Sequence, residues 1–122
     1  MPDDIDVIAA TTDSRAMTSK QAYREVKNKL ALFNDDEIHL FSKRIDSTLR
    51  GNLGSELKAY QDHFPEKRLA VCVPSYPDSG RLVIDGKMYV NGNLLMNTDA
   101  GKDPKMPVVS NFVVDNFKKD FD

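Results

Sequence analysis

The sequence predicts an α/β fold, a partial three-layer parallel-sheet domain followed by a small β-meander, in a single domain spanning residues 1–122. Three observations predict it. Short apolar runs rich in β-branched residues alternate with amphipathic helical stretches as far as residue 73, and each run ends in a polar loop. Beyond Gly80 the pattern changes, and the turn dipeptides Asp85-Gly86 and Asn91-Gly92 separate short apolar segments. Strand and helix in alternation build a parallel sheet because each helix packs back onto the sheet that feeds it.

The elements follow in order. Residues 5–10 form an apolar run suited to a buried strand, ending in Thr11-Thr12-Asp13-Ser14-Arg15. Thr18 opens a helix, with Gln21 three residues on to complete a capping box, and Ala22, Tyr23, Val26, Leu30 and Phe33 recur at helical spacing. A second strand is expected from Ile38 through Leu40 and Phe41 into Lys43-Arg44-Ile45, and after the loop from Asp46 a second helix carries Leu53, Leu57, Tyr60 and Phe64, closing at Pro65. A third strand, 69–73, contains the single cysteine, Cys72, expected to be buried. Residues 82–84, 88–90 and 94–95 make the meander, and the apolar group at Val108, Val109, Phe112, Val113, Val114 and Phe117 reads as a short strand or helix.

Composition narrows the function. A hydrophobic share of 40% supports one modest core. Lys+Arg 17 against Asp+Glu 19, interspersed, gives a net charge of −2, so no nucleic-acid partner is expected. No apolar run is long enough to cross a membrane and no secretion signal opens the chain, so no membrane partner and a cytoplasmic location are expected. Cys72 has no partner for a disulfide, and neither His39 nor His63 has a Glu or Cys at ligand spacing, so no metal site is assigned. No Gly-rich phosphate loop of either common type and no nucleophile elbow occurs, so this chain is expected to bind no cofactor by itself.

In open α/β sheets the ligand crevice lies beyond the carboxyl ends of the strands. Three polar loops follow strands here, 11–15, 46–52 and 74–81, and they bring Asp13, Ser14, Arg15, Asp46, Ser47, Thr48, Arg50, Ser75 and Arg81. That inventory suits a small polyhydroxylated anion. Guanidinium groups take carboxylates by paired hydrogen bonds, hydroxyls read sugar hydroxyls, and a helix start at Arg50-Gly51-Asn52-Leu53-Gly54 offers amides to negative charge. A plainer reading stands beside it: Asp46, Ser47 or Thr48 caps a helix, Gly51 and Gly54 permit a turn and close packing, and Arg50 pairs with Asp46 or Glu56.

The segments TDSRAM at 12–17, KRIDSTLRGNLGSEL at 43–57 and VPSYPDSGR at 73–81 resemble, in order, motifs of the four-carbon acid sugar kinases. The match runs on through Asp85-Gly86, Val90-Asn91-Gly92, Leu94-Leu95, Thr98, Asp103-Pro104 and Pro107. The resemblance implies an ATP-dependent kinase of threonate, erythronate or 3-oxo-tetronate, acting at the terminal hydroxyl; some members are labelled Hrp-dependent type III effector-like. It implies that this chain is a partial N-terminal substrate-binding domain lacking the first strand with its Asp-Asp-x-Thr-Gly motif and the C-terminal nucleotide-binding domain. The chain then supplies sugar-acid binding only, is inactive as a kinase alone, and has ATP with Mg²⁺ as the nucleotide of the full-length family. Its partners are the sugar acid, the missing nucleotide domain and a second copy covering an exposed sheet edge. The alternative is a non-catalytic module for ligand or protein binding.

Carried over by residue, the resemblance puts Arg50, Lys43, Asp46, Ser47, Asp13, Ser14, Arg15 and Arg81 at the sugar-acid pocket, with Arg50 as first choice for the carboxylate. For the chemical step the candidates are Asp46, which orients Arg50 or accepts a proton, and Lys43, which neutralises phosphate charge or holds a hydroxyl.

Overall fold

Thr18, in extended conformation, caps the first helix: its Oγ1 accepts from the Gln21 amide while the Gln21 side chain accepts from the Thr18 amide. From that box helix α1 runs Ser19–Leu30 and buries Ala22, Val26 and Leu30 on one face. Helix α2, Leu53–Gln61, packs against it, and Val26, Leu30 and Ala59 form a small core with Tyr23, Phe41 and Tyr60 at its edge. The computed structural model describes residues 6–33, 38–66 and 68–120. No helix among these is long and apolar enough to cross a membrane.

The meander forms as the turn pairs predict. Strands β1 (Arg81–Ile84), β2 (Lys87–Val90) and β3 (Asn93–Leu94) lie in that order, antiparallel, with Arg81 opposite Val90 and Tyr89 opposite Leu94. Asp85-Gly86 and Asn91-Gly92 all have positive φ, the pairing that matches the twist of a two-residue hairpin. Met88 and Leu95 turn inward to join Leu49, Leu53, Ala100 and Val108 in the larger core. The tail adds helix α3, Val113–Lys118, which resolves the strand-or-helix alternative for that segment. Asn116 is fully buried there, but its amide donates to the Ser110 and Phe112 carbonyls and its oxygen accepts from the Val109 amide.

The three runs expected as parallel strands form no ladder among the described residues. Residues 6–10, 38–45 and 69–73 lack strand pairing, and the only sheet described is the antiparallel meander. A strand exists through its partner's hydrogen bonds, and none of these runs is laddered to a neighbour among the described residues. Leu69, Val71 and Val73 are 90%, 78% and 71% exposed, and Val7 and Leu40 are as open. Cys72 is exposed as well, which corrects the expectation of a buried thiol. Both faces of 69–73 are uncovered, so alternation along the run hides neither set of side chains. Residue 5 of the first run lies outside the described residues.

Candidate functional site

Loop 46–52 is shaped by two residues with positive φ, Leu49 at 58° and Gly51 at 100°. A leucine in the left-handed region costs about 1–2 kcal/mol. Leu49 is fully buried in the core beside Met88 and Leu95, and burial of such a side chain contributes about 1.5–3 kcal/mol, enough to hold the bend. With Leu49 facing inward, Arg50 projects to the other side. Its Nε donates to Asp46 Oδ2 at 2.7 Å and its Nη1 to Asp103 Oδ2 at 3.2 Å. Thr48 Oγ1 donates to the same Asp46 oxygen at 2.8 Å.

Arg15 reaches this group from the 3₁₀ turn Ser14–Ala16. Its Nη2 lies 3.7 Å from Asp103 Oδ2 and 3.9 Å from Asp46 Oδ2, close enough for attraction and too far for hydrogen bonds. Its side chain is 51% exposed. The stem of Arg15 lies against Gly51, whose missing Cβ would sit 3.5 Å from Arg15 Cγ. Asn52 fixes the same junction from within, its buried amide donating to the carbonyls of Ser14 and Met17 at 2.9 and 2.8 Å.

A second cluster adjoins the first. Glu56, in the first turn of α2, is 7% exposed; its Oε1 accepts from Ser14 Oγ at 2.6 Å and its Oε2 pairs with Lys43 Nζ at 2.5 Å. Both clusters face a cleft of about 1420 Å³. Asp13, Ser14, Arg15, Lys43, Asp46 and Arg50 line it together with Gly51 and Glu56. Two of the three loops, 11–15 and 46–52, thus meet at the cleft, and the plainer reading of Arg50 also holds, since its pairing with Asp46 is what orients it.

Two predicted residues stand elsewhere. Ser47 is half-buried and does not line the cleft, while Arg81 opens β1, donates weakly to the Ser79 carbonyl at 3.4 Å and also lies outside the lining. Loop 74–81 curls back on itself through paired hydrogen bonds between Tyr76 and Arg81, which carries Arg81 into the meander. The start of α2 is closed to a ligand as well. Asp120 Oδ2 accepts from the Gly54 and Ser55 amides at 3.1 and 3.3 Å, and its Oδ1 from Ser19 Oγ at 3.1 Å. A carboxylate of the chain itself occupies the positive end of the helix.

Three acidic residues that the sequence did not assign to the site hold it together: Glu56, named there only as a partner for Arg50, Asp103, named only in a motif, and Asp120, which caps α2. Glu56 carries a signal in hindsight, because it shares the α2 face with Leu53 and Tyr60 and a buried carboxylate there needs cationic partners. The electrostatics follow from these contacts. Desolvation pushes the Asp46 carboxyl up, but hydrogen bonds from Arg50 and Thr48 and the nearby guanidinium charges outweigh it and hold it below the usual range. Backbone amides of Met106 and Lys105, helped by Arg50, lower Asp103 likewise. A carboxylate so held is a poor proton acceptor and a good anchor for a cation.

The chain is 46% identical over 110 residues to a D-erythronate kinase of Heliobacterium modesticaldum, covering 90% of this chain and 25% of that protein. It is 38% identical over 111 residues to a D-threonate kinase of Salmonella typhimurium, covering 90% of this chain and 26% of that one. The chain therefore spans about a quarter of the length of these relatives. Among solved structures, a domain of unknown function from Bordetella bronchiseptica, crystallised with bound citrate as a domain-swapped dimer, superposes with a TM-score of 0.82 at 30% identity, covering 89% of this chain and 28% of that one. A model of the sugar-binding N-terminal domain matches residues 1–122, and with these relatives in view the chain belongs to the sugar-binding N-terminal domain family.

Proposed function

We propose that this chain is the sugar-acid-binding part of an ATP-dependent kinase that phosphorylates a four-carbon sugar acid, threonate, erythronate or 3-oxo-tetronate, at its terminal hydroxyl. The observation that carries the reading is the pairing of Arg15 and Arg50 over Asp46 and Asp103 at the wall of the cleft. Arg50 is committed on two of its five N–H groups, and Arg15 keeps its own free of hydrogen bonds to either aspartate. A ligand carboxylate seats between them, bound chiefly by Arg15, with Asp46 and Asp103 holding Arg50 in line. Citrate, bound by the structural neighbour, has the same chemistry of carboxylates and a hydroxyl on a short chain.

The donor set suits a small anion and not a triphosphate. Arg15, Arg50 and Lys43 each have a carboxylate beside them, and the amides at the start of α2 serve Asp120. ATP with Mg²⁺ is therefore assigned to the part of the relatives' length that this chain does not span. Calorimetric titration with erythronate, threonate and 3-oxo-tetronate tests the reading. Binding is expected in the wild-type chain and is expected to weaken roughly 10- to 100-fold in Arg15→Ala, as loss of a charged hydrogen-bond pair implies, with little change in melting temperature. Absence of binding to all three acids overturns it.

The exposed runs favour a second feature, a self-associating face. Leu69, Val71 and Val73 lie exposed along one run, and the structural neighbour is described as a domain-swapped dimer. These runs act as strands of the expected parallel sheet when a second copy covers them. Light scattering is expected to show a mass rising towards a dimer with concentration, and Val71→Lys is expected to keep the chain monomeric. A wild-type chain that stays monomeric at high concentration removes this feature.

A further inference from the structure

Glu56 couples two groups that the cleft presents to its ligand. One oxygen takes the Ser14 hydroxyl at 2.6 Å and the other takes the Lys43 ammonium at 2.5 Å. Thr12 Oγ1 lies 2.9 Å from Ser14 Oγ, and Lys43 Nζ also donates to the Arg44 carbonyl at 3.3 Å. A carboxylate beside an ammonium accepts and does not donate, so the Ser14 proton points at Glu56. The bond between Thr12 and Ser14 then has one direction, with Thr12 donating. Ser14 is left with an accepting lone pair and no proton to offer. Lys43 is left with a proton and nothing to accept with.

We propose that Glu56 is a positioning residue that fixes this polarity, so that Ser14 and Lys43 together read a ligand hydroxyl, which donates to the first and accepts from the second. The assignment rests on the sugar-acid reading above and deepens it by naming the group selected. An oxo group in the same place accepts from Lys43 but leaves the Ser14 lone pair unanswered. A site built to bond a hydroxyl discriminates against an analogue lacking it, because its own polar atom is stranded. Hydroxy acids such as erythronate and threonate are therefore preferred to a 3-oxo acid. Burial makes the device rigid: Glu56 and Lys43 have side chains only 9% and 18% exposed, so neither reorients freely.

The test is the ratio of affinities for the better of erythronate and threonate against 3-oxo-tetronate, measured in the 122-residue chain and in Glu56→Gln and Ser14→Ala. Wild type is expected to favour the hydroxy acid by about tenfold or more. Glutamine sets an amide N–H against one of the two partners, and alanine deletes the accepting oxygen; in each the ratio is expected to fall towards one. Ser14→Ala carries the test if Glu56→Gln does not fold. Equal wild-type affinities, or a uniform weakening of all three ligands with the ratio intact in the variants, overturns the role of Glu56 and leaves the sugar-acid reading standing. No binding of any tetronate to wild type removes both.

Discussion

Gly54→Ala is expected to destabilise the chain by about 2–3 kcal/mol, the cost of forcing a methyl into a filled space. A Cβ on Gly54 would lie 1.9 Å from the Phe117 carbonyl oxygen and 3.0 Å from Asp120 Cβ. The first contact is with the backbone of α3, which has no rotamer to change. Relief requires α3 to move off α2, and that movement withdraws Asp120 from the Gly54 and Ser55 amides it caps. Alanine is the better helix former by about 1 kcal/mol, a gain smaller than the clash. Thermal unfolding is expected to show a melting temperature lower by roughly 10 °C. An unchanged or raised value would mean that α3 is not seated on α2 at this glycine.

Arg50→Ala is expected to weaken sugar-acid binding roughly tenfold, no more than Arg15→Ala does, and to reshape the acid limb of stability. The variant leaves Asp46 and Asp103 facing each other with only Arg15 near both. Loss of the Arg50 bond to Asp46 costs about 1–2 kcal/mol, a charged hydrogen bond discounted for solvent screening. The pH dependence has a definite sign. Both carboxyls are held below their ordinary range in the folded chain, so the stabilisation is fully present above about pH 4 and is lost as pH falls through the folded values. The difference in stability between wild type and Arg50→Ala should therefore be largest near neutrality and shrink towards pH 2. Urea titrations across that range check it, and a difference independent of pH would show that Arg50 contributes through packing alone.

Local features were legible in the sequence because their causes are local. The Thr18 and Gln21 box and the paired turn residues of the meander specify backbone geometry within four residues, and both form as read. Loops 11–15 and 46–52 meet although the runs before them form no ladder, because the Asn52 amide and the Arg15 side chain tie them together. The roles that the sequence did not assign depend on distant partners. Glu56 looks like an ordinary helix glutamate until Lys43 and Ser14 are beside it, and Asp103 looks like a turn residue, which it also is, since it accepts from the Lys105 and Met106 amides. Arg81 stands apart from the cleft for the converse reason: its loop forms a local bridge at Tyr76. The apolar runs at 6–10 and 69–73 have the composition of interior strands, and composition does not say what covers them.

The tie between Asp120 and the start of α2 also bears on the order in which the molecule assembles. Gly54 and Asp120 are 66 residues apart, Arg50 and Asp103 are 53 apart, and Ser19 and Asp120 are 101 apart. Closing such loops costs entropy before any contact returns it, and chains rich in distant contacts fold slowly. Helix α1 and the hairpin of β1 and β2 need no such closure and are free to form early. The wall proposed to bind the sugar acid needs Asp103 beside Arg50 and is completed only late, which would make recognition competence one of the last properties a folding chain acquires.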